Sequence, residues 1–413
     1  MPLNDRDYRK AFYAAVDQRQ ALDTRQAAYY VPIYELPGLQ HLDLVGRMRD
    51  AIEFRPAQSV QLLSGFRGSG KTSELLRLRD ELSAEGYTTA YMDIGDYANT
   101  ELPLDMAIFP VALAAGFATA LGAVQGENPI RRLWDFLKRV RVEVESATVD
   151  FGLIESEFKG VVRDDQSFAR RARDAFSQNR RAFREEFHRF FADCTEGTDV
   201  TRGVVFIVDS IDHFRGRAET FDDVRESVER AFSELSEDLC LPGVHVVYTV
   251  PVYVQAPNLE VRQDVLNVRV ADKAGSPDRA GLDAMRQVLA RRAPGGDLER
   301  LGPDTDRLLL HSGGLFRDLL RLTGLTLLQA KSLPASAQAM DQADALLRND
   351  YRTVLSREQL EIMRQVQTTH DLIPSVEQWP DAMSLIASGA LMRYPNGKDS
   401  WYGVHPLLQD LAR

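Results

Sequence analysis

The run Gly65-Phe66-Arg67-Gly68-Ser69-Gly70-Lys71-Thr72 fits the pattern GxxxxGK[ST] with no mismatch. Residues of these types at this spacing are suited to gripping a phosphate chain. The glycines open backbone conformations closed to other residues, so successive N–H groups can turn inward on phosphate oxygens. A helix starting at the end of the run adds its positive end to the same place. Lys71 reaches the β- and γ-phosphates, and the Thr72 hydroxyl is offered to Mg²⁺. Gly65, Phe66, Arg67, Gly68, Ser69, Gly70, Lys71, Thr72 and Ser73 are therefore the candidate nucleotide-binding residues. The same string also arises as a structural Gly-rich turn. Context separates the two readings, because the chemistry requires a strand before the loop and a helix after it. Ser59 to Leu63 reads as a short buried strand. From Lys71 to Glu85, Leu75, Leu78 and Leu82 share one helical face, with Gly86 as a stop.

A second constellation lies downstream. Val204 to Val208 is an unbroken apolar run that ends at Asp209, followed by Ser210-Ile211-Asp212. An aspartate at the carboxyl end of a buried strand sits where open α/β sheets bind ligands. Asp209 is the expected second Mg²⁺ anchor, alongside Thr72; an aspartate there can also cap a turn. Val244 to Tyr248 is another apolar run, ending at Thr249. A hydroxyl at that point can orient an attacking water or meet the γ-phosphate, or it can cap the chain before Pro251. The guanine-reading NKxD pattern is missing, which favours ATP. Val31 to Tyr34 are placed to line an adenine pocket.

These motifs need a parallel sheet covered by helices. Tyr87 to Met92 reads as a strand ending at Asp93, and Leu266 to Val270 as a fifth strand. Strands alternating with helices imply an α/β fold with helices on both faces of the sheet. Residues 127–200 read as a helical insertion. In it Val149, Phe151 and Leu153 alternate like a strand, and Phe168 through Phe190 follow one long amphipathic helix. Arginines on that helix (Arg170, Arg171, Arg173, Arg180, Arg181, Arg184) alternate with Asp174, Glu185 and Glu186. This favours a solvated face over a nucleic-acid surface.

The chain has 413 residues, 44% hydrophobic and 27% charged, with a net charge of −11. Such a length accommodates more than one core, and an acidic chain does not attract phosphate backbones by bulk charge. Two cysteines, Cys194 and Cys240, exclude a disulfide framework and fit a reducing cytoplasm. The N-terminus has no signal-peptide apolar core. Met106 to Val124 carries no charge and imitates a membrane span. Its Ala and Gly content and its lack of aromatic belts favour a buried helix.

Together these residues resemble the AAA+ and STAND ATPases, the P-loop class that includes origin-recognition-like and NLR-like switch proteins. The resemblance covers roughly residues 41–330 and implies ATP with Mg²⁺, a helical lid and a cytoplasmic ATP hydrolase. It implies catalytic roles for Lys71, Asp209 and Thr249, and for Arg317 in Gly313-Gly314-Leu315-Phe316-Arg317 as a lid arginine reaching the γ-phosphate. Arg317 also suits an exposed helical face. The catalytic glutamate that usually follows the metal aspartate is replaced by Ser210; Asp212 is the nearest acid, and slow turnover is expected. Arg215, Arg217 and Arg262 are candidates for an arginine finger. The expected parts are an N-terminal helical extension (1–40), a core (41–272), a lid (273–335) and a winged-helix-like domain (336–413). In the last, a helix over Ala382–Gly389 precedes strands flanking an Asn396-Gly397 turn. Its recognition segment, Ser375 to Asp381, carries two acids and no base, with Arg393 and Lys398 the only nearby cations. It therefore suits a protein contact or packing against the lid better than DNA. The implied function is a nucleotide-dependent switch with a protein partner or self-association, of the type used in bacterial signalling or phage defence. The alternatives are a DNA-associated loader or initiator ATPase, and an ATP-binding scaffold without hydrolysis.

Overall fold

A computed structural model describes residues 3–17, 26–125, 129–142, 154–196, 202–216, 220–233, 236–254, 261–353, 355–397 and 399–413. The alternating segment at Val149–Leu153, Arg217 and Lys398 lie outside them. The first half of the chain runs α1 (Asp5–Val16), α2 (Gln26–Tyr29), α3 (Leu44–Glu53), β1 (Ser59–Gly65), α4 (Lys71–Ala84), β2 (Thr88–Asp93) and α5 (Ile108–Gln125). Then come α6 (Pro129–Arg139), α7 (Ile154–Asp164), α8 (Gln166–Gln178), α9 (Arg180–Thr195), β3 (Val204–Asp209), α10 (Phe221–Ser233), β4 (Val244–Val250) and β5 (Val261–Val265). The remainder is α11 (Arg279–Ala290), α12 (Thr305–His311), α13 (Phe316–Gln329), α14 (Ala337–Arg352), α15 (Arg357–Thr369), α16 (Trp379–Ser388), β6 (Leu391–Asn396) and β7 (Asp399–Val404).

The chain divides into two units. One holds Leu44–Ser64 and Glu74–Asp264; the other holds Met1–Asp43, Gly65–Ser73 and Val265–Arg413. The first is built on a sheet of order β2-β3-β4-β1-β5. The pairings β2·β3, β3·β4 and β4·β1 are parallel. β1, β3 and β4 are buried along their whole length, as strands covered on both faces must be. The charge-free segment forms α5, whose Phe109, Val111, Leu113, Phe117 and Leu121 are buried. The Phe117 ring centroid lies 4.9 Å from that of Phe191 of α9, tilted, and 5.0 Å from that of Phe206 of β3, edge to face, so this apolar run is spent on the core. No helix among the described residues is long and apolar enough to cross a membrane.

Two expectations are corrected. The long amphipathic helix is two helices: Asn179 adopts φ −155°, ψ 77° and caps α9 by accepting Ala182 N–H at 3.0 Å. A side chain that competes for main-chain donors breaks the helix although the apolar spacing continues through it. The fifth strand is Val261–Val265 rather than Leu266–Val270. An edge strand tolerates the polar run Arg262-Gln263-Asp264. The apolar stretch after it sends its hydrogen bonds elsewhere, Asn267 N–H to Arg393 O at 3.0 Å and Val268 N–H to Gly314 O at 3.2 Å.

The second unit is mostly helical. Asp278 caps α11, Ser336 caps α14, and Ser356 with Gln359 forms a capping box on α15. β6 and β7 pair antiparallel around Asn396-Gly397, with Asn396 opposite Asp399.

Candidate functional site

In the second unit, the loop leaves β1 and enters α4 at Lys71. Gly68 and Gly70 sit at φ +84° and +93°, the left-handed region that glycine alone enters cheaply. Each is also closed over from outside. A Cβ on Gly68 would lie 2.2 Å from Arg317 Cβ, and one on Gly70 would lie 3.3 Å from the Phe316 ring. The Arg317 N–H donates to Gly68 O at 3.2 Å. Lys71 is buried, and its ammonium donates to Gly65 O at 2.9 Å and Phe66 O at 2.8 Å. Ser69 Oγ is buried with no hydrogen-bond partner among the described residues. A buried cation on two carbonyls and an unsatisfied hydroxyl are what an arriving phosphate would complete. The residues present thus fit a nucleotide's phosphates. Thr72 and Ser73 are half-buried, and Arg67 is exposed.

In the first unit, β2 and β3 place Asp93 and Asp209 side by side at the carboxyl edge of the sheet. Asp209 accepts Tyr91 OH at 2.8 Å on one oxygen and Ser210 N–H at 2.7 Å on the other. Asp93 accepts Ser210 OH at 2.8 Å and Gly95 N–H at 2.8 Å. Ser210 stands at φ +69°, so the residue in the usual glutamate position turns sideways and bridges the two strand ends. The Thr249 hydroxyl accepts Ile211 N–H at 3.0 Å, bracing the turn that carries Asp212. Asp212 is buried in that turn. Tyr253 nearby has its phenol pushed up by burial and by the charge of Glu229. The sheet thus brings Asp209, Asp212 and Thr249 together. Tyr91 and Asp93 belong to the same edge; the signal for Asp93 was its place at the end of an apolar strand, the same cue that marks Asp209. Among the described residues no group of three or more His, Cys, Asp or Glu side chains is arranged to hold a metal ion.

Arg262 is held within this unit. Its guanidinium donates to Val254 O, to Val252 O at 3.0 Å and to Ser64 Oγ at 3.2 Å, and pairs with Asp264 at 2.9 Å. Arg215 ties its main-chain N–H to Thr100 O at 3.1 Å.

Arg317 in the second unit is divided between two tasks. Its main chain touches the loop, while its guanidinium pairs with Asp318 at 3.0 Å and donates to Tyr351 OH at 3.1 Å and Ser388 O at 3.3 Å. Asp318 is fully buried and also accepts Tyr351 OH at 2.5 Å and His405 Nε2 at 3.2 Å. His405 Nδ1 accepts Leu407 N–H at 3.2 Å, which fixes the Nε2–H tautomer. Burial alone would raise Asp318. The His405 hydrogen bond, the Arg317 charge and the Tyr351 hydroxyl outweigh it, and the carboxyl is held well below its ordinary range. Burial and the neighbouring Asp318 charge push the Tyr351 phenol up. Ile33 and Tyr34 are buried, and Val31 and Pro32 are half-buried.

The fold is that of a P-loop nucleotide-binding protein. A buried strand, an unbroken GxxxxGKT loop and a helix follow one another, on a sheet ordered β2-β3-β4-β1-β5. No protein-family model matches the chain, and no curated protein does. Among solved structures it is similar to Drosophila ORC bound to DNA, at 10% identity and TM-score 0.40, covering 100% of this chain and 93% of that one. It is similar to the Aeropyrum pernix ORC1 protein in complex with DNA, at 14% identity and TM-score 0.38, covering 93% of each. It is similar to the Aeropyrum pernix ORC2 protein (ADPNP-ADP complexes), at 11% identity and TM-score 0.43, covering 96% and 97%. Likenesses this distant carry no functional argument; the fold rests on the chain's own loop and sheet.

Proposed function

We propose that this chain is an ATP-binding switch that hydrolyses ATP slowly to ADP and phosphate and so controls a partner protein, as in bacterial signalling or phage defence. The carrying observation is the loop. Its glycines hold a phosphate-ready conformation, its buried Ser69 hydroxyl lacks a partner among the described residues, and Phe316 and Arg317 lie directly on it. In this reading Gly65–Ser73 cradle the phosphates, Lys71 neutralises them, and Thr72 and Asp209 hold Mg²⁺, which supplies charge neutralisation at the transferred phosphoryl group. Ser210 in the glutamate position leaves Asp212 to position water, which supports slow turnover. Arg317 reads the nucleotide by exchanging its Tyr351 and Ser388 bonds for a phosphate, which changes the setting of Asp318 and His405.

Lys71→Ala is expected to abolish ATP binding in isothermal titration of the full chain; retained affinity would sink the proposal. Phosphate release at saturating ATP with Mg²⁺ separates the switch from an ATP-binding scaffold without hydrolysis. A DNA-associated loader has less support. Arg173 is paired with Asp105, Arg180 and Arg184 with Asp238, and Arg181 with Glu185, so the arginine face is largely neutralised. A salt-dependent shift of duplex DNA, lost on charge reversal at Arg170, Arg171 and Arg173, would reverse that ranking.

A further inference from the structure

The segment 371–381 runs from the end of α15 into the first turn of α16 and leaves three of its large apolar side chains outside. Ile373 is 74% exposed, Val376 87% and Trp379 37%. Among the described residues, the other exposed large apolar ones, Leu3, Phe54, Leu102, Leu328 and Leu346, are scattered along the sequence and are of the ordinary kind. Here three fall within seven positions, spaced by three.

The segment is not slack. Ser375 N–H donates to Gln378 Oε1 at 3.1 Å, Gln378 N–H donates to Ser375 Oγ at 3.3 Å, and Trp379 N–H donates to Val376 O at 3.3 Å. A reciprocal side-chain and main-chain turn therefore fixes the outward posture of Val376. Beneath it, Ala382, Met383, Leu385 and Ile386 of α16 are buried, so the helix has its core and the turn is surplus to it.

The charge around these residues has one sign. Asp371 and Glu377 are exposed, Asp381 is half-buried, and the segment contains no lysine or arginine. Ser375 OH donates to Glu377 at 2.9 Å. The main-chain N–H of Glu377 and that serine hold its carboxyl below the ordinary value, so it is ionised at neutral pH. None of the three carboxylates forms an ion pair among the described residues.

We propose that Ile373, Val376 and Trp379, ringed by Asp371, Glu377 and Asp381, form the docking surface for a cationic amphipathic helix of a partner protein. Apolar anchors at the centre supply burial, and the acid rim selects lysine and arginine and repels nucleic acid. The same rim disfavours a second copy of this acidic chain, whose arginine-bearing α8 already buries its own Phe168 and Ala172. The surface is independent of the phosphate loop. It gives the proposed switch a partner of defined chemistry, but its existence does not rest on ATP hydrolysis.

The probe is a synthetic Leu/Lys amphipathic peptide of about five helical turns, with a Leu/Glu peptide and a Lys/Ser peptide of the same length as controls. Binding to the full chain is read by peptide fluorescence anisotropy and by a shift in tryptophan emission that is absent in Trp379→Phe. The Leu/Lys peptide is expected to bind at least about tenfold more tightly than either control. The double variant Ile373→Ser/Val376→Ser is expected to lose at least about tenfold of that affinity, with thermal melting and ATP binding unchanged. Glu377→Lys should produce a similar loss that shrinks as salt is raised. Equal binding of the three peptides, or equal binding by the double variant, overturns the proposal. So does self-association of the wild-type chain that the double variant abolishes, because the occupant is then a second copy. A duplex-DNA shift abolished by the double variant overturns it as well. Loss of ATP binding in Lys71→Ala with peptide binding intact leaves the surface standing and confines any failure to the loop.

Discussion

Two buried aspartates, one in each unit, show what a carboxylate is for. Asp209 ends β3 and is held by a phenol and a main-chain amide, beside the parallel Asp93. Asp318 opens α13 and is held by a guanidinium, an imidazole and a phenol. Both are inaccessible, and both take a tyrosine hydroxyl. Asp318 has its countercharge built into the chain at Arg317; burial would raise its carboxyl, but the His405 hydrogen bond and that charge together hold it well below the ordinary range. Asp209 stands next to another carboxylate, a setting that rewards an added cation. The first arrangement stabilises architecture; the second suits chemistry.

The comparison is most sharply tested at Asp318. Asp318→Ala leaves the fully buried His405 and the half-buried Arg317 guanidinium without their carboxylate, and is expected to cost about 3–5 kcal/mol in urea denaturation. A cost below about 1 kcal/mol would mean that the cluster is not architectural. Asp209→Asn should leave stability within about 1 kcal/mol of wild type, because an amide oxygen still accepts one of its hydrogen bonds. Mg²⁺-dependent phosphate release should fall by at least about tenfold, the loss already typical of groups one shell further from a metal. Equal losses of stability in the two variants would erase the distinction. The smallest effect is acid sensitivity. Asp318 is lowered in the folded chain, so its contribution is fully present above the unfolded carboxylate value. It is lost as pH falls through the folded value. Wild type should therefore lose stability progressively below about pH 4, and Asp318→Asn should show a flatter decline in the same window by circular dichroism.

Much of this was legible in the residues. The loop, β1 to β4 and the Asn396-Gly397 hairpin are encoded locally, by glycine spacing, continuous apolar runs and turn chemistry, and each formed where the sequence placed it to within a few residues. The edge strand was misplaced because Arg262-Gln263-Asp264 lacks the apolar content by which buried strands announce themselves. Leu266 to Val270 had that content but found partners at Arg393 and Gly314. The division of α8 from α9 turned on one asparagine. At the candidate site, Asp209 was visible and Asp93 was not drawn in, although both end apolar strands. Their pairing depends on sheet register, which no window of sequence shows. The direction of the Arg317 guanidinium was equally hidden, because Asp318 is its neighbour in sequence while Tyr351 and Ser388 are distant.

Gly68 carries a further lesson. Its left-handed backbone suits a phosphate ligand, and independently of any ligand an added methyl group there would strike Arg317 Cβ. Two separate constraints therefore converge on one hydrogen atom. A chain of this fold that bound no nucleotide would still be compelled to keep glycine at that place. An intact motif, on its own, records what leans against the loop as faithfully as what the loop was shaped to hold.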